Sequence, residues 1–155
     1  MIKVLFVCLG NICRSPMAEA VFRNLLVKEN LVDKIIVDSG GTGDWHIGDV
    51  PHKGTRELLD KYRISYEGMT ARQVVKQDWD NFNYIIAMDD QNIKDLQKIN
   101  YNQHVVMKKL MDFVDDAKEK EVPDPYYTGD FDYTYELVSE GCMNLLSYIR
   151  EKHNI

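Results

Sequence analysis

Little in this chain would tie it to a membrane, a metal or a nucleic acid. No apolar run approaches the roughly 20 residues that a membrane-crossing helix needs, so no membrane insertion is expected. Nowhere do His, Cys and carboxylates fall at metal-ligand spacing. The chemistry should therefore need neither metal nor cofactor, and the four scattered histidines read as surface residues. Acidic residues outnumber basic ones, the net charge is −6, and no basic stripe is visible; nucleic acid is not an expected partner. Cysteine is scarce and odd in number, three in all, which excludes the disulfide framework of a small secreted domain. Linkers, repeats and low-complexity stretches are absent too. The 155 residues should fold as one domain with its own core. Lys3 followed by Val4–Val7 has the outline of a secretory leader, but the apolar run is too short. A buried first strand and a cytoplasmic location are the expectation.

What the chain does have is concentrated in Val7-Cys8-Leu9-Gly10-Asn11-Ile12-Cys13-Arg14-Ser15-Pro16. The segment follows the apolar run Ile2–Val7 and precedes a helical pattern. A loop bent between a strand and a helix N-terminus offers its backbone N–H groups to an anion, and the helix start adds partial positive charge. Arg14 adds a planar fork of donors that matches phosphate oxygens two at a time. Leu9 to Ser15 would then form a phosphate cradle. Its positive surroundings favour Cys8 as the thiolate, the nucleophilic form. Gly10 permits the angles of a tight loop, and Asn11 tolerates left-handed geometry. Ser15 followed by Pro16 reads as a helix cap and first helical residue. Binding site and nucleophile coincide, which points to phosphoryl transfer to cysteine.

Periodicity predicts strands at 2–7, 34–38 and 83–88, with a weaker one at 104–107. Helices are expected at 16–29, 53–63, 70–77, 90–98 and 133–152, with a flexible loop at Ser39–Gly43 and a loop-rich acidic region at 111–130. In the last helix, Val138, Cys142, Leu145 and Ile149 recur at helical spacing, so Cys142 reads as plain core. Strands alternating with helices imply an α/β fold: a four-stranded parallel sheet with helices on both faces, a flavodoxin-like three-layer sandwich. Such folds bind ligands beyond the carboxyl ends of the strands, where strand order reverses. Cys8 lies just past the end of the first strand.

Phosphoryl transfer also needs an acid for the leaving oxygen. Asp124 lies between Pro123 and Pro125, which restrict its backbone. Taken alone, Asp-Pro more often just starts a turn. Trp45, Tyr126 and Tyr127 are candidates to wall the site, stacking on a phenyl ring and leaving aliphatic esters poorly held. Cys13 shares the loop with Cys8. It either fills space beneath the loop or forms a reversible disulfide that shields Cys8 from over-oxidation.

The loop resembles the signature of the low-molecular-weight protein tyrosine phosphatases. The likeness continues in Asp38-Ser39 with its Gly-rich turn and Trp45, in Ala71-Arg72-Gln73, in Tyr84–Asp89, and in Asp124-Pro125-Tyr126-Tyr127. It implies Cys8 as nucleophile, Arg14 as phosphate ligand and Asp124 as general acid and base. It implies Ser15 as a hydroxyl donor to the sulfur, Ser39 and Asn11 as loop supports, and Trp45, Tyr126 and Tyr127 as determinants of substrate preference. The implied partners are phosphotyrosine-containing proteins. One position departs: many family members carry a histidine where Met69 stands, and Met69 cannot fix the loop asparagine in that way. Two other readings compete. A phosphoarginine phosphatase resembles this family but tends to carry threonine where Ile12 stands and to lack the tyrosine pair. A non-enzymatic phosphopeptide-binding module would have no need of Cys8 and Asp124 together. Arsenate reduction, on the same fold, would need further relay cysteines, and Cys142 is poorly placed for that.

Overall fold

The computed structural model describes all of residues 1–155. Four strands, β1 (Ile2–Cys8), β2 (Ile35–Gly41), β3 (Tyr84–Ala87) and β4 (Val106–Lys109), form one sheet in the order β2-β1-β3-β4. All neighbours pair in parallel, with Val4 opposite Val37 on one side and Tyr84 on the other. Near-continuous apolar runs in β1 and β3 follow from this. A parallel sheet is covered on both faces, so a strand cannot alternate with solvent.

The pleat divides those runs between two cores. Val4, Phe6 and Ile86 face helices α1 (Arg14–Lys28), α2 (Lys53–Lys61) and α6 (Phe131–His153), meeting Met17, Phe22, Leu59, Val138 and Leu145. Leu5, Val7, Ile85 and Ala87 face the other way, against Trp79 of α3 (Asp78–Asn81) and Leu96 of α4 (Asp90–Ile99). These are the expected three layers. Cys142 is completely buried in the first core, as its helical spacing predicts. No helix is long and apolar enough to cross a membrane.

Strand order reverses at β1. The chain leaves it for β2 on one side and later crosses to β3 on the other. The carboxyl ends of β1 and β3 therefore open a crevice, with Cys8 at one lip and Asp89 at the other. The region after β4, expected to be loop-rich, holds a 3-10 turn at Leu110–Phe113 and the short helix α5 (Pro125–Thr128), which brings Asp124 back to that crevice.

Two expectations fail. No helix forms at 70–77. Backbone groups there bond across the fold instead of along the chain: Ala71 N–H reaches the Asp49 carbonyl, and Gly41 and Val74 N–H bond to the Arg72 and Gly41 carbonyls, each at 2.8 Å. The segment lies as a lone parallel bridge, Gly41 with Gln73, beside β2. Likewise Ser39-Gly40-Gly41 is not loop but the end of β2, paired with Phe6, Val7 and Cys8. Gly41 is there for closeness, since a Cβ would sit 2.9 Å from the Leu9 carbonyl oxygen.

Candidate active site

Residues 9–13 link β1 to α1, and the N–H groups of residues 9–14 find no acceptor within the protein. Unpaired backbone donors converging in a run form a concavity suited to an anion. Asn11 takes the left-handed turn, φ 56°. The Cys8 sulfur takes the Ser15 N–H at 3.4 Å, and the Ser15 hydroxyl lies 3.0 Å from it.

Ser15 is not a cap. α1 starts at Arg14 after Cys13, so Ser15 and Pro16 are its second and third residues. Pro16 still suits the position, because first-turn N–H groups lack helical partners. The hydroxyl is thereby released to the sulfur, as the resemblance implies.

Loop support is also settled. The Asn11 side-chain amide donates to Ser15 Oγ at 2.7 Å and to Ser39 Oγ at 3.0 Å, and its carbonyl accepts the Arg72 N–H at 3.0 Å. Ser39 in turn donates to Glu19 at 2.6 Å. Met69 takes no part; it packs on the main core. The non-helical path of 70–77 is what delivers the Arg72 N–H. Its guanidinium holds that path by pairing with Asp38 and Asp78.

Arg14 is only 2% exposed. It donates to Asp89 at 2.7 Å and to the Val122 carbonyl at 2.9 Å, and it approaches Asp124 at 3.4 Å. Burial disfavours its charge, but the negative charge of Cys8, then Asp89 and Asp124, outweigh burial and raise its pKa above the ordinary value. It stays a cation. Its Nε–H is buried and unpaired within the protein. Asp89 also caps α4 through the Asn92 N–H. The sequence marked Asp89 only as the end of the Tyr84–Asp89 likeness; its place just after β3, at the crevice, was the signal for a site residue.

Asp124 caps α5, with one oxygen accepting the Tyr126 N–H at 3.0 Å. The second oxygen is the one facing Arg14. Together with Leu9, Ile12, Cys13, Trp45, His46, Tyr126 and Tyr127, Asp124 lines a cleft of about 190 Å³. The three expected aromatic residues are thus brought together, and all are exposed. His46 and His52 correct the reading of every histidine as mere surface. His46 is a cleft wall. His52 is half-buried, caps α2, stacks on Phe131 and meets Tyr126 edge-on.

The Trp45 ring folds back over Gly43, where a Cβ would lie 1.9 Å from the indole. Gly43→Ala must therefore displace the ring. We expect kcat/KM for an aryl phosphate to fall about 2–10-fold, the worth of one aromatic contact. Tm should stay within a degree or two, because Trp45 is exposed. A melting curve beside steady-state kinetics checks both.

None of Cys8, Cys13 and Cys142 is joined in a disulfide. Burial, with the charges of Cys8 and Asp124 adding to it, pushes the Cys13 pKa up to about 12. Cys13 is therefore a thiol near neutrality. If it shields Cys8, mild peroxide should inactivate reversibly, Cys13→Ser should regain less activity on thiol treatment, and disulfide closure should quicken as pH rises. Equal recovery in both proteins would leave Cys13 as packing.

A model of the low molecular weight phosphotyrosine protein phosphatase family matches residues 3–154. The low molecular weight protein-tyrosine-phosphatase YfkJ of Bacillus subtilis is 52% identical over 156 residues, with all of both chains covered. Its crystal structure superposes with a TM-score of 0.96 at 53% identity, covering 98% of this chain and 96% of that one. PtpA of Staphylococcus epidermidis is 47% identical over all of this chain and 98% of its own. The structure of Drosophila arginine phosphatase is more distant: 32% identity and a TM-score of 0.88, over 96% of this chain and 98% of that one. This chain belongs to the low molecular weight protein tyrosine phosphatase family.

Proposed function

We propose that residues 1–155 act as one phosphatase domain that hydrolyses phosphotyrosine in proteins through a phosphocysteine intermediate. The carrying observation is the unpaired run of N–H groups at residues 9–14 around the Cys8 sulfur, with the buried, unpaired Arg14 Nε–H beside it. The phosphoryl group takes these donors. Cys8 Sγ attacks phosphorus, the bond to the tyrosine oxygen breaks, and Asp124 gives that oxygen its proton. Asp124 then takes a proton from water as the water attacks phosphorus, and the S–P bond breaks to release phosphate and the cysteine sulfur. Arg14 holds the phosphoryl oxygens as charge moves over them.

The aromatic walls favour an aryl ester. Ile12, with its small remaining exposure, and the exposed pair Tyr126 and Tyr127 bound the cleft with apolar surface. A guanidinium leaving group would be poorly matched to it. The test is a rate comparison with phosphotyrosine, phosphoserine and phosphoarginine peptides and p-nitrophenyl phosphate. Phosphotyrosine and p-nitrophenyl phosphate should be turned over and the other two spared. Preferred hydrolysis of phosphoarginine would overturn the substrate, and no turnover of any would leave a binding module.

A further inference from the structure

We propose that His52 is a positioning residue that holds the Tyr126 ring in place as a wall of the cleft, and so sets the preference for an aryl over an alkyl ester. The proposal rests on the reading of the cleft as an aryl phosphate site and names what keeps that site in shape. Tyr126 is 54% exposed and stands on α5, a helix of four residues. An exposed ring on so short an element turns freely unless something outside the element meets it. Its aromatic neighbours are Tyr127, on the same helix and more exposed still, and His52, from the segment before α2.

His52 is itself fixed from three directions. Its backbone N–H donates to the Ile12 carbonyl in the phosphate loop at 2.7 Å. Its Nδ1 accepts the Gly54 N–H at 3.0 Å, which caps α2 and restrains the imidazole. The face of the ring stacks on Phe131, with centroids 5.2 Å and planes 21° apart. Phe131 is anchored in turn. It packs on the main core and on Ile12, Cys13 and Ala71, and it lies so close over Gly54 that a Cβ there would come within 2.5 Å of its ring. Tyr126 meets this fixed imidazole edge-on, at 5.9 Å and 76°, a geometry that aromatic pairs favour. Support therefore runs from the core through Phe131 and His52 to Tyr126. His52 does not line the cleft itself; what it supplies is the position of a wall.

The two jobs of the side chain can be separated by substitution. His52→Asn keeps an acceptor for the Gly54 N–H and loses the ring; His52→Phe keeps a ring and loses the acceptor. Keeping the cap matters. Thr55, in the first turn of α2, donates to the Cys13 carbonyl at 3.2 Å, so fraying there would reach the phosphate loop.

The experiment measures equilibrium binding of phenylphosphonate and methylphosphonate by calorimetry at one pH. It needs no turnover, so a protein that hydrolysed nothing would still report on the wall. Both compounds fill the phosphate cradle, and only the first reaches the aromatic residues. The wild type should prefer phenylphosphonate; no preference would overturn the aryl reading and the role of His52 with it. His52→Asn should weaken phenylphosphonate about 2–10-fold, the worth of one aromatic contact, and leave methylphosphonate unchanged. His52→Phe should keep the wild-type ratio of the two affinities, while its Tm falls by about 2–4 °C for the lost cap. In a Tyr126→Ala background, His52→Asn should cost nothing further. A wild-type ratio in the Asn variant would overturn the proposal. So would a Phe variant whose ratio matches that of Asn, or a further loss in the Tyr126→Ala background.

Discussion

Serine in place of Cys8 should leave a protein that binds phosphate but turns over nothing. The hydroxyl has no adjacent base: the groups nearest it are the Ser15 hydroxyl and N–H, both poor proton acceptors in this arrangement. A neutral hydroxyl without a base is a weak nucleophile, so the loss should be at least about 10⁴-fold. The cradle is untouched. The N–H groups of residues 9–14 and the Arg14 guanidinium remain, and phosphate should bind within several-fold of its wild-type Kd by calorimetry. Activity above the level of a preparation lacking the protein would sink the covalent route. Loss of phosphate binding alongside activity would mean that the loop itself had collapsed. Arg14→Lys offers the complement. A point charge cannot keep Asp89, Val122 and an oxyanion at once, so the variant should lose both binding and turnover.

The second large effect concerns Asp124 and depends on the leaving group. If Asp124 protonates the departing oxygen, its loss should hurt most where that oxygen most needs a proton. The tyrosine phenol, pKa about 10, is such a group; p-nitrophenol is not. Asp124→Ala should lower kcat/KM for a phosphotyrosine peptide by about 10²–10⁴-fold and for p-nitrophenyl phosphate much less. kcat/KM is the quantity to compare, because it reports the steps up to formation of the phosphocysteine and is blind to the hydrolysis that follows. Equal losses would remove Asp124 as the acid. The variant also loses the cap on α5, so a mild drop in Tm is expected and is no part of the argument.

How much of this could be read from the chain depended on whether the information was local. The phosphate loop, the apolar strands and the long last helix are written in contiguous residues, and they emerged where periodicity placed them. Asp124 and the aromatic walls needed the resemblance, because an Asp-Pro pair has the same local meaning in any turn. Ser15 was placed near the sulfur but with the wrong backbone role, since a cap and a second helical residue differ by one position. The segment 70–77 failed for a tertiary reason. Its backbone is satisfied by Asp49, Gly41 and Asn11, partners that no window of sequence contains. The bond between Ser39 and Glu19 was invisible for the same reason: on paper Glu19 is one more charge on a helix, and only the fold brings it to Ser39.

The braces of the phosphate loop come from far along the chain. Ser39 lies 28 residues from Asn11, Arg72 lies 61 away from it, and Val122 lies 108 residues beyond Arg14. During synthesis the loop emerges long before its last supports. A nascent or C-terminally truncated chain that ends before Val122 would carry the whole signature and yet hold Arg14 without its carbonyl anchor and without Asp124 opposite. On the proposed mechanism, catalytic competence therefore waits for residues 122–124 to dock. Hydrolysis of a phosphate ester by the newborn protein would time the docking of its final third, with no need of an external folding probe.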